Sequence, residues 1–87
     1  MRLPKCLELI RDDDNNFYLV QHIGRDEKFN MKYFNVKCVF KSPISKRGEY
    51  ARAFDFEFRR KQFVVTDIEE MKRTKAALQI LYAKSSP

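Results

Sequence analysis

The stretch Tyr50-Ala51-Arg52-Ala53-Phe54-Asp55-Phe56-Glu57-Phe58-Arg59-Arg60 places a phenylalanine at every second position from 54 to 58. Side chains on a strand alternate between its two faces. This period of two predicts a strand over Tyr50 to Arg60 with Phe54, Phe56 and Phe58 on one face and Ala51, Ala53, Asp55, Glu57 and Arg59 on the other. N-terminal to it, Met31 to Lys41 alternates in the same way. Phe34, Val36, Cys38 and Phe40 fall on one face, and Tyr33, Lys37, Val39 and Lys41 on the other. Pro43 and Gly48 break the chain between the two strands, so residues 31–61 read as a two-stranded ribbon.

Further out, Cys6 to Ile10 reads as a short strand burying Leu7 or Leu9, or as a helical turn opened by Pro4. The run Asp12-Asp13-Asp14-Asn15-Asn16 reads as a solvated turn, because Asp and Asn bond their own backbone. Phe17 to Ile23 is the next strand and stops at Gly24, and residues 25–30 form a polar connection. Phe63-Val64-Val65 continues extended chain. The period then changes: Thr66 with Glu69 resembles a capping box, and residues 67–83 lack Gly and Pro, which predicts a helix. Its expected buried stripe is Ile68, Met71, Lys75, Leu78 and Tyr82, bordered by Leu81. Strands first and helix last define an α+β fold, with an antiparallel sheet of four to five strands and one C-terminal helix packed on one face.

A chain of 87 residues has room for a single domain over 1–87. Its 44% apolar content, with eight Phe and four Tyr, suffices for one core and excludes a disordered chain. Two glycines and three prolines exclude collagen-like and low-complexity classes. No apolar run approaches the roughly 20 residues of a membrane span. No secretory hydrophobic region follows Met1, and Cys6 and Cys38 lie far apart, so reduced thiols in a cytoplasmic protein are expected. His22 is the sole histidine, and neither cysteine is spaced to pair with it as nucleophile or metal ligand. The acidic run lacks the alternating oxygens, glycine and late glutamate of a calcium loop. With no catalytic signature and no glycine-rich phosphate loop, the expectation is a protein that is not an enzyme and uses no cofactor or metal.

The net charge of +6 is unevenly placed. Residues 1–36 are neutral and residues 62–87 carry +1, whereas residues 37–61 hold eight bases against three acids. Clustered bases with interleaved tyrosines suit nucleic acid: Lys and Arg contact phosphates, and a tyrosine ring stacks on an unpaired base. The candidate binding residues are Lys37, Lys41, Lys46, Arg47, Arg52, Tyr33, Tyr50, Arg59, Arg60 and Lys61. The expected partner is DNA or RNA, single- or double-stranded, since a two-stranded ribbon also fits a duplex major groove.

Two further readings use the same features. The basic ribbon suits an inhibitor or adaptor docking on an acidic host protein, as a small phage or mobile-element protein does. Ile80, flanked by Ala76 and Ala83 on the helix face opposite the expected core stripe, is a candidate contact for a partner or a homodimer. A small ribonuclease toxin, with Arg, Lys and Tyr stabilising a phosphoryl transition state, is the lesser alternative. The order of strands then helix resembles small single-stranded nucleic-acid-binding modules of the whirly type, which pair through their helices. That likeness is one of element order and assigns no residue a role.

Overall fold

A computed structural model describes residues 2–46 and 48–85, without the side chains of Lys84 and Ser85. It contains β1 (Leu9–Asp12), β2 (Phe17–Asp26), β3 (Met31–Phe40), β4 (Arg52–Phe54), α1 (Asp55–Arg59), β5 (Phe63–Thr66) and α2 (Ile68–Ser85). The five strands form one antiparallel sheet in the order β4-β3-β2-β1-β5, followed by a single C-terminal helix, which is the expected α+β arrangement. β4 and β5 lie at opposite edges, so the chain between them crosses a sheet face, and it carries α1.

The inner face buries Ile10, Tyr18, Val20, Phe34, Val36, Ala53 and Phe63 beneath Phe58 of α1, with Leu3, Ile23 and Tyr50 packed at the margin. The rings interlock edge to face. Phe34 meets Phe58 at 5.2 Å between centroids, and Tyr50 meets Phe63 at 5.1 Å.

α2 lies over part of the opposite face. Its Glu70 accepts from Arg11 Nε at 3.2 Å, and Arg11 pairs with Phe17 across β1 and β2. Phe17 and Leu78 are both buried yet stand apart from the inner cluster. Glu70, Met71, Thr74 and Leu78 form the shielded arc of the helix, which is turned from the expected stripe. Ile68, Lys75 and Tyr82 are exposed instead.

The long strand expected over 50–60 breaks after Phe54. The Glu57 carboxylate accepts the Phe54 N–H at 3.0 Å, and Arg59 pairs with Asp55 at 2.9 Å one turn away. These are helix-start interactions, and they outweigh the alternation of phenylalanines. Consequently Ala53 faces the core, Phe54 faces away from it, Phe58 is buried and Phe56 is exposed.

Two bulges shift the strand faces elsewhere. Phe17 pairs with Phe40 while Tyr18 pairs with Cys38, which leaves Val39 as an extra residue and turns Phe40 to the face opposite Cys38. Likewise Val20 pairs with Val36 and His22 with Asn35, so Gln21 is extra and Ile23 joins the inner face. β2 also runs past Gly24 to Asp26, and Leu7, at φ 69°, lies in a turn and is exposed.

The acidic run is only partly solvated. Asp12 and Asn16 are buried. Asp12 accepts from the Asp14 and Asn16 N–H groups at 2.9 and 3.0 Å, and from Asn16 Nδ2 and the Tyr18 hydroxyl at 3.0 Å each. Asn16 Oδ1 then accepts the Ser42 N–H at 2.7 Å, tying the β1–β2 turn to the chain leaving β3.

Candidate nucleic-acid interface

The part of the outer face that α2 leaves open is set by the pairing of β2, β3 and β4. One row across the strands holds His22, Asn35 and Arg52, and the next holds Gly24, Tyr33 and Phe54. Gly24 makes room for Tyr33: a Cβ there would lie 2.4 Å from the ring. Arg52 places its guanidinium carbon 4.2 Å from the Tyr33 ring centroid and donates from Nε to Asn35 Oδ1 at 3.1 Å. That bond fixes a long side chain over the ring, and its charge favours the electron-rich face. His22 stands 6.3 Å from Tyr33 on the other side. Lys37 projects from the same face two residues beyond Asn35 and is exposed.

The row continues towards the β2–β3 turn. Phe54 and Phe56 stack at 6.1 Å with an interplanar angle of 18°, and with Phe29 and Met31 they line an apolar hollow of about 280 Å³. Arg60 lies 5.1 Å from the Phe56 centroid and Lys28 lies 5.5 Å from that of Phe29. Across Phe56 from this hollow, on the inner-face side where Arg25 and Lys32 pair two residues beyond Ile23 and Phe34 and where Leu3 packs, is a cleft of about 420 Å³ containing Arg25, Lys32, Arg59 and Asp55. Phe56 and Met31 line both.

The acids at this end are largely engaged. Asp26 caps the turn through the Lys28 and Phe29 N–H groups at 3.0 and 3.2 Å, Asp55 holds Arg59, and Glu57 holds the Phe54 N–H. Glu27 faces solvent at the turn.

The sequence-predicted residues do not form one ribbon. Tyr33, Arg52 and Lys37 share the open face, with Arg59 and Arg60 beside it on and just after α1. Lys41 and Lys46 lie beyond the far end of β3, eight and more residues from Tyr33, or about 27 Å along a strand. Lys61 lines a separate hollow with Arg2, Phe58 and Phe63. Tyr50 is withdrawn from the surface, packed edge-on against Tyr18 and Phe63. Arg47 lies outside the described residues. Ile80, Ala76 and Ala83 are exposed on α2, and Leu81 and Tyr82 beside Ile80 are each more than half exposed.

Arg25 and Phe29 escape the sequence reading because residues 25–30 read as a plain connection, and Met31 and Lys32 because they open a strand ahead of the basic segment 37–61. The available signal was Asp26 and Asn30 framing a tight turn, with an apolar Phe29 at its tip.

Elsewhere, burial and then the neighbouring Asp12 charge push the Tyr18 hydroxyl pKa well up, and burial raises that of the Cys38 thiol. Arg2 forms a two-pronged bond to Glu8, which also accepts the Lys5 N–H, and together these hold the Glu8 carboxyl at about 2. Among the described residues no group of three or more His, Cys, Asp or Glu is placed to hold a metal ion, and no helix is long and apolar enough to cross a membrane. Comparison with protein-family models, curated proteins and solved structures finds no match.

Proposed function

We propose that this chain is a non-enzymatic nucleic-acid-binding protein that uses the open outer face of β2, β3 and β4. The observation that carries this reading is the Tyr33–Arg52–Asn35 unit, a ring and a guanidinium held 4.2 Å apart on an uncovered sheet face. Flat π-surfaces and guanidinium planes accept stacked bases, and the surrounding Lys37, Arg60 and Lys28 supply contacts to the phosphate backbone. Of the eight bases within residues 37–61, Lys37 and Arg52 lie on the open face and Arg59 and Arg60 beside it, which supports the same reading.

Titrating labelled single- and double-stranded DNA and RNA across a salt series tests it. About four to six phosphate contacts give a log–log salt slope of roughly −3 to −5. Arg52→Glu is expected to weaken binding more than Lys46→Glu, since Lys46 lies at the far end of the sheet. No binding at roughly 50 mM salt, or a flat salt response, contradicts the proposal.

A second reading is favoured by the end of α2, where Ile80, Leu81 and Tyr82 are 57, 57 and 53% exposed. Three large consecutive apolar residues in water suit a protein partner or a second copy of the chain. Under that reading Ile80→Asp abolishes a dimer or a protein complex detected by light scattering, and leaves nucleic-acid binding unchanged.

A further inference from the structure

The two adjoining hollows at the β2–β3 turn differ in chemistry. One is walled by Phe29, Met31, Phe54 and Phe56. The other holds three cations, Arg25, Lys32 and Arg59, against the single carboxylate of Asp55. They share Phe56 and Met31 as a common wall. An apolar aromatic slot directly beside a cationic cleft matches the two halves of one nucleotide, a flat base next to a charged phosphate.

We infer that this end of the molecule is a nucleotide-unit site for single-stranded nucleic acid: an unpaired base enters the slot formed by Phe54, Phe56 and Phe29, and its phosphate sits in the cleft of Arg25, Lys32 and Arg59. The inference rests on the proposed function and narrows it to a strand type and a place.

Three features support that occupant. Phe54 and Phe56 already lie near parallel, at 18°, and Phe56 is 37% exposed, so a base stacks on this pair once the Arg60 guanidinium, 5.1 Å from the Phe56 centroid, swings aside towards the phosphate. Phe29, 66% exposed, stands on a turn fixed by Asp26, and such exposure of a phenylalanine at a hairpin tip has no role in the core. The cations are complementary to phosphate: Arg59 binds Asp55 through Nε and Nη2, so Arg25 and Lys32 are the main phosphate contacts and Arg59 adds only its remaining N–H groups.

The slot also sets selectivity. A base in a duplex is paired and stacked and must leave its stack before it enters. Apolar walls make no hydrogen bonds to base edges, so all four bases are accepted in the order of their stacking strength.

The test measures fluorescence anisotropy with three probes of equal length: an oligothymidylate, the same strand without bases, and a blunt duplex. Wild type is expected to bind the base-bearing strand most tightly. Phe56→Ala and Phe29→Ala are each expected to weaken that strand about five- to hundred-fold, while leaving the abasic strand and the salt slope unchanged. Arg25→Ala should weaken both single strands and reduce the slope by about 0.7. Thermal melts establish that the variants fold, and Phe29 is exposed enough to be truncated safely.

Binding that persists unchanged in both phenylalanine variants overturns the site while the broader function stands. So does equal affinity for abasic and base-bearing strands. A wild-type protein that binds none of the probes overturns both.

Discussion

Asp12 shows why residue type alone misleads about exposure. In the run Asp12-Asp13-Asp14 the three acids are equivalent by composition, yet Asp12 is buried and Asp13 is exposed. The difference lies in what surrounds the carboxylate: two backbone N–H groups, the Asn16 amide and the Tyr18 hydroxyl saturate its oxygens. Removing one donor leaves a buried acceptor underbonded. Tyr18→Phe is therefore expected to lower stability by about 1–3 kcal/mol in urea unfolding. The Tyr18 pKa is raised in the folded protein above its ordinary 10.0, so unfolding releases a proton at high pH. The wild-type advantage should be constant below pH 10.0 and shrink as pH rises above it. A difference that instead grows with alkaline pH contradicts this account of the network. None of it was legible in the sequence, because the saturation depends on Tyr18 returning to the turn across the hairpin.

At the scale of elements, legibility followed the local pattern. β3 is readable because its alternation holds from Met31 to Cys38, and α2 because residues 67–83 are helix formers without Gly or Pro, although its buried arc is not. Tyr50–Arg60 was misread because alternate phenylalanines satisfy the strand period, while Asp55, Glu57 and Arg59 satisfy a helical start. Two such signals over five residues can be separated only by tertiary context. The bulges at Gln21 and Val39 are similarly silent, since an inserted residue has no signature of its own. Gly24 was read as a stop and serves instead as the floor under Tyr33. Its φ is not positive, so alanine is tolerated by the backbone, but its Cβ meets the ring at 2.4 Å. Gly24→Ala is expected to alter the melting temperature little, yet to shift the Tyr33 ring resonances and weaken oligonucleotide binding. Unchanged ring resonances would show that the ring does not rest there.

For the whole molecule, the excess positive charge is redistributed by the fold. The sequence concentrates it in residues 37–61, but the loop after β3 and the break at Phe54 carry Lys41 and Lys46 to one end and Arg52, Arg59 and Arg60 to the other. α2 meets the outer face at Arg11 and Thr66 through Glu70, and the part of that face with Tyr33, Arg52 and the aromatic hollow is left open as the platform. The two exposed features, platform and α2 end, lie on different elements and can be distinguished by mapping. Amide chemical-shift changes on adding a single-stranded oligonucleotide to labelled protein are the direct measurement. Shifts confined to residues 22–35 and 52–60, with residues 78–83 silent, are the expected result. Shifts centred on residues 78–83, or none at saturating oligonucleotide, contradict it.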